Sequence, residues 1–236
     1  MAVFRVPQPS VEPTPRRVRV RLGDTVVADS NRAQLLIQYG PGGFSTYFVP
    51  ADDVRPGVLV EESGGRWSVV AGGRRADGAA WTNEDFPELK GMITFSWETL
   101  DWYEEDERVH VHARSPHHRV DTLRSSRRVQ VFVDGQQVAN STRPLLLFET
   151  WLPTRYYLPF EDVRTEVLTA SETISYCPYK GRARYFSHAA VADVAWSYPD
   201  PIPENPKIRD LLCFYNERVD LVVDGEPLER PQTPFS

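Results

Sequence analysis

Arg17–Ile37 reads RVRVRLGDTVVADSNRAQLLI, and Arg128–Phe148 reads RVQVFVDGQQVANSTRPLLLF. Nine of these 21 positions are identical without a gap. A second pair of blocks follows, YFVPADDVR at Tyr47–Arg55 and YYLPFEDVR at Tyr156–Arg164. Self-similarity at this spacing means two copies of one folding unit. The repeat therefore divides the 236 residues into two domains, each of roughly a hundred residues and able to carry its own core.

The repeat continues beyond these blocks. Trp81 falls near the place of Trp196, each after an alanine, and KGMITFSWETLDWY can be laid on RDLLCFYNERVDLV, matching Phe95 with Phe214, Glu98 with Glu217 and Asp101 with Asp220. The offset drifts from 111 at Ala28/Ala139 to 109 at Asp53/Asp162, 115 at Trp81/Trp196 and 119 at Phe95/Phe214. Loops of unequal length produce such drift.

The units read as sheet. Val18, Val20 and Leu22 alternate with Arg17, Arg19 and Arg21, the period of a half-buried strand, and Val129, Val131 and Val133 repeat it. Asp134-Gly135 and Asp224-Gly225 are hairpin dipeptides. Leu145–Phe148, Tyr156–Leu158, Thr173–Tyr176, Arg184–Phe186, Leu212–Tyr215 and Val219–Val223 are short aromatic or β-branched runs between turn residues, and predict further strands. Short helices are predicted around Ala189–Val194 and Pro206–Leu211. The expected class is mainly β, with antiparallel sheets and few short helices.

Boundaries follow from composition. An extended N-terminal arm at 1–16 carries Pro7, Pro9, Pro13 and Pro15. The first repeat is placed at 17–108, a connector that includes HVHARSPHHRVDTLRSSR at 109–127, the second repeat at 128–228, and a tail with Pro231 and Pro234 at 229–236. The connector reads as a solvated, salt-bridged strap or as an anion-binding surface.

Net charge is −6 and no long basic tract occurs, which argues against nucleic-acid binding. No apolar run has the length of a membrane span, and the N-terminus lacks a signal pattern. With two cysteines, Cys177 and Cys213, the expected setting is cytoplasmic with reduced thiols. Arginine numbers 24 and lysine three, so Lys180 is one of few amines available for chemistry.

The halves differ in one stretch. Thr173–Ser187 reads TISYCPYKGRARYFS, whereas Glu61–Arg75 in the first half, EESGGRWSVVAGGRR, has no Cys, no Lys and no CPYKG. Gln38 stands where the second half has Glu149. Polar residues lost from a retained apolar frame are what duplication followed by loss of one site produces, so the first repeat reads as degenerate and any site belongs to the second.

LLLFETWLPTRYYLPFEDVR, TISYCPYKGRARYFS, VAWSYPDP and LLCFYNERVDLVVDG resemble, in that order, the bacterial domain of unknown function 427 in its tandem form, over nearly all of residues 17–228. The resemblance implies two tandem β-tent-like domains, each a pair of facing antiparallel sheets. A nucleotidyltransferase label also travels with that family, but the chain has no Gly-Ser motif with paired carboxylates and no phosphate-cradling glycine loop. Zinc and sulfoxide-reductase chemistry occur among β-tent folds. Cys177 has no CxxC partner, so zinc does not carry over. Sulfoxide reduction needs a second, recycling thiol, and Cys213 in the apolar run LLCFY reads as core, which leaves that chemistry open only as a weak alternative.

Cys177 lies three residues from Lys180, and a nearby ammonium raises a thiol's thiolate fraction. The pair is therefore a nucleophile or ligand grip, or else a structural cysteine beside a lysine that pairs with Glu149 or Asp162. If the strands pack as the resemblance implies, Glu149 and Asp162 share the pocket. Tyr157, Tyr179 and Trp196 belong to an aromatic set that is core or the wall of a cage, and Arg155 is a candidate for a bidentate anion contact. His110 and His112 have no third ligand placed by sequence, so no metal or cofactor is expected. His188 is a candidate base.

The expected function is a binding module with a pocket in the second repeat. Its ligand is an unidentified small molecule held by Glu149, Arg155, Tyr157, Asp162, Tyr179 and Trp196. An enzyme using Cys177 or Lys180 is the alternative, and a protein-interaction scaffold a weaker one. Oligomeric state is not legible.

Overall fold

The computed structural model describes residues 8–39, 43–233, 235 and 236. It divides into two compact units, one ending at Ser115 and the other beginning at Pro116. Residues 1–7 of the expected arm, Pro7 included, and Pro234 of the tail lie outside the described residues.

The first unit contains β1 Ser10–Pro13, β2 Val18–Leu22, β3 Thr25–Ser30, β4 Gln34–Ile37, β5 Thr46–Pro50, β6 Leu59–Ser63, β7 Arg66–Ala71, β8 Arg74–Trp81, β9 Met92–Phe95, β10 Asp101–Glu104 and β11 Glu107–Val109. The second contains β12 Val120–Arg124, β13 Val129–Val133, β14 Gln136–Ser141, β15 Leu145–Glu149, β16 Arg155–Pro159, β17 Leu168–Cys177, β18 Gly181–His188, β19 Val191–Pro201, β20 Leu211–Phe214, β21 Asp220–Val223 and β22 Glu226–Leu228. Each unit has a seven-stranded and a four-stranded antiparallel sheet. The order β1-β4-β5-β9-β8-β7-β6 is repeated as β12-β15-β16-β20-β19-β18-β17, and β11-β10-β2-β3 as β22-β21-β13-β14.

The alternation read from the sequence packs each unit. Val18, Val20 and Leu22 point from β2 onto Leu35, Tyr47, Val49 and Phe95 of the larger sheet. Val129, Val131 and Val133 do the same with Leu158, Leu212 and Phe214. The two sheets thus enclose one core per unit. Two of the nine shared residues of the opening blocks take part in a brace that also recurs. Ser30 and Arg32 hold Asp53, and Ser141 and Arg143 hold Asp162.

Several expectations are corrected. Ala189–Val194 is not helical. Residues 189–190 form a turn, and Val191 opens β19, paired with His188. Pro206–Leu211 gives only the 3-10 turn Pro206–Ile208 before β20 begins. Residues 109–127 are not a free strap. Val109 ends β11, and β12 adds to the second unit's seven-stranded sheet through the register Val120↔Glu149. Ser10–Pro13 of the arm is an edge strand on β4.

The halves also align differently around the distinctive stretch. Trp67 pairs with Ala80 as Phe186 pairs with Ala195, while Leu59 opens β6 as Leu168 opens β17. The β17–β18 hairpin is therefore ten residues longer than β6–β7. CPYKG is the tip of this extension and has no counterpart in Glu61–Arg75. In the first unit the hairpin is closed early by Gly64 and Gly65, both at positive φ.

Candidate functional site

The second unit buries polar groups on the outer face of its seven-stranded sheet. The tip turn brings Lys180 N to Cys177 O at 3.2 Å, and it is moored by Ile202 N to Lys180 O at 3.1 Å and Asn205 Nδ2 to Tyr179 O at 2.8 Å. Gly181 follows at φ 108°, where a Cβ would stand 2.9 Å from Asp200 O. Only glycine fits that approach.

Lys180 Nζ donates to Glu149 Oε2. β16, β20 and β19 lie between β15 and β18. Four inter-strand steps of about 4.8 Å would hold the two strands about 19 Å apart in a flat sheet. The contact therefore needs the sheet to coil. His118, just before β12, brings Nε2 to 3.0 Å from Glu149 Oε1. Its ring stacks on Tyr179 at 4.1 Å. An ionised Glu149 requires the proton on Nε2 of His118. Trp151, two residues past Glu149, is exposed at φ 69°, a costly conformation for a large side chain.

Burial opposes the Glu149 charge, but Lys180 and His118 outweigh it and hold the carboxyl down at about 2. Burial likewise opposes the Lys180 ammonium, and Glu149 overcomes it, so the lysine is raised and stays protonated. Burial raises the Cys177 thiol against the pull of Lys180. Cys213 is core, and burial pushes its thiol up to about 12. Both cysteines are free thiols.

The remaining expected site residues do not converge here. Tyr157 and Trp196 are core side chains, with Trp196 Nε1 donating to the Tyr157 hydroxyl at 3.1 Å. Arg155 forms a separate buried pair, its two terminal nitrogens 2.7 and 2.8 Å from the Glu217 carboxylate oxygens. Its guanidinium lies 5.5 Å from the Trp196 ring centre and 5.8 Å from that of Tyr215. The aromatic cage is thus filled by the protein's own cation. Asp162 belongs to the brace shared by both units. His188 Nδ1 accepts from Ala190 N at 3.2 Å and caps the β18–β19 turn.

Sequence reasoning passed over His118, Asn216 and the partner role of Glu217. The repeat alignment did carry a signal for the last. In the first unit Thr46 replaces Arg155 and Trp97 replaces Asn216, and Trp97 Nε1 donates to Thr46 Oγ1 at 2.8 Å.

A family model described as a domain of unknown function, DUF427, matches residues 10–106 and again residues 121–225. The chain belongs to the DUF427 family. Both copies of the domain carry the strand order described above, so the tandem arrangement expected from the repeat holds. A comparison with curated proteins found no match. No helix among the described residues is long and apolar enough to cross a membrane. No group of three His, Cys, Asp or Glu side chains among them is placed to hold a metal.

The first DUF427 copy buries a charge of its own. Its buried Glu104 accepts from the Tyr47 hydroxyl at 2.9 Å and pairs with Arg16 and Arg114 at 3.3 and 3.5 Å. It also bears an open concavity of ≈ 400 Å³ between Val26–Asp29 and Asp52–Pro56. What it lacks is the long hairpin and everything on its tip.

Proposed function

We propose that the second DUF427 copy is a small-molecule binding module, and that its recognition surface is the rim of the Glu149–Lys180 pair, formed by His118, Tyr179 and Cys177. The observation that carries this is a buried, charge-paired lysine at the end of a hairpin extension that the first copy does without. Buried charges are expensive to keep, and the fold stands without this one in its other half. Perturbed ionisable groups and strained backbone positions cluster at functional sites.

Binding is favoured over covalent catalysis by the protonation states. A nucleophilic amine must be neutral and a nucleophilic sulfur must be a thiolate. Glu149 holds Lys180 as ammonium and burial holds Cys177 as thiol. Both groups then serve as donors to a polar ligand.

A metabolite panel screened by thermal shift tests this. A true ligand raises the melting temperature of the wild type, and the rise disappears in Lys180→Met and Tyr179→Ala but persists in Asp53→Asn of the first unit. A panel in which every responding compound shifts Lys180→Met as much as wild type sinks the reading. Rapid alkylation of native Cys177 near neutral pH turns it toward the enzyme.

A further inference from the structure

We infer a second ligand site in the same unit, at the mouth of its sandwich, fitted to a planar aromatic ring system of about indole size. The two copies differ there at matched positions.

In the first unit this mouth is packed with rings. Trp102 of β10 pairs with Val20 and is 1% exposed. It stacks on Trp97 at 4.5 Å and meets Tyr47 at 6.3 Å. Ala113, fully buried, closes the opening through its N–H to Ser45 O at 3.1 Å. The Nε1 of Trp102 is buried without a partner among the described residues, so the space takes a ring even at the cost of an unmet donor.

In the second unit the two tryptophans are gone while the frame, with a tyrosine at the place of Tyr47, remains. Leu221 pairs with Val131 in the register of Trp102 with Val20. Asn216 stands for Trp97, Tyr156 for Tyr47 and Thr154 for Ser45. The result is a cavity of ≈ 240 Å³ whose lining includes Tyr156, Asn216, Val219, Leu221, Leu228 and Glu229. Drug-sized ligands use about 300–1,000 Å³, so this space suits one small ring system. Its walls combine apolar and polar surface. Asn216 there is tied to Arg155 and to the Thr154 carbonyl, and the exposed Glu229 at the rim is the acceptor offered to a ring N–H or O–H, the partner that Trp102 lacks. The cavity lies apart from the Glu149–Lys180 rim, since Leu221 and Val219 belong to the core between the sheets, whereas Lys180 sits on the outer face.

Indole titrated into the ¹⁵N-labelled full chain tests the inference. Saturable shifts are expected at the amides of Tyr156, Asn216, Leu221 and Leu228. Leu221→Trp restores the first unit's filling and is expected to weaken indole at least tenfold. Val219→Phe, which enlarges a second lining side chain, gives the same readout if the tryptophan variant does not fold. Absence of saturable binding overturns the proposal, as do shifts that leave those four amides unmoved, or undiminished affinity in the filled variants.

Discussion

Lys180 Nζ meets Glu149 Oε2 with both side chains almost sealed from water, 11% and 4% exposed. The two residues are joined across the outer face of the sheet by a hairpin whose first-unit counterpart is ten residues shorter over its two strands and turn. This pair organises both the stability and the proposed recognition of the second unit.

Acid should weaken the second unit through Glu149. Its carboxyl sits at about 2 in the folded protein against 4.5 ordinarily. A depressed folded value gives stability that is present above the unfolded value and lost as pH falls through the folded one. Urea denaturation between pH 5 and pH 2 should therefore show a loss of up to about 3 kcal/mol from this group. Glu149→Gln should flatten that part of the profile, and a profile unchanged by the substitution contradicts the pairing.

Breaking the pair should cost more than removing it. Glu149→Gln leaves the Lys180 ammonium buried without its counter-charge, which costs about 3–5 kcal/mol. The double variant Glu149→Leu with Lys180→Met removes both charges and should recover a large part of that loss. A double-mutant cycle in chemical denaturation measures the coupling, and additive effects would mean the two groups are independent.

Neither thiol should react quickly in the native state. Burial raises both Cys177 and Cys213, and the thiolate is the reactive form. Iodoacetamide at pH 7.5 should label both slowly in buffer and rapidly in urea, as followed by mass spectrometry. Lys180→Met should slow Cys177 further, because the ammonium is what opposes its rise.

Gly181→Ala should disturb the tip turn. The residue has φ 108°, and an added Cβ would press on the Asp200 carbonyl at 2.9 Å and on Ile202 N at 3.2 Å. The conformation alone costs about 1–3 kcal/mol for a residue with a Cβ, and the contact adds to it. Lower thermal stability is expected together with loss of ligand response, because Lys180 and Tyr179 are set by the same turn. Gly135→Ala, whose Cβ would meet nothing, is the control for positive φ (73°) by itself.

Some of this was legible in the residues. Nine identities in Arg17–Ile37 and Arg128–Phe148 announced two units, and the alternation of Val129, Val131 and Val133 announced strands. CPYKG was visible as part of the stretch the first half lacks. Its form was not. A repeat offset records that residues were inserted but not that they lengthen a hairpin and carry its tip across the sheet.

The sequence by itself determined duplication and sheet class, because both rest on patterns written within a few residues of one another. Tertiary structure alone decided the partners. It sent Lys180 to Glu149 rather than Asp162, gave Arg155 to Glu217 and enlisted His118 from the supposed connector. It also left the mouth beside Leu221 open where Trp102 closes the other. These outcomes depend on sheet coiling and on side-chain volumes summed across strands distant in the chain, and no local pattern encodes either.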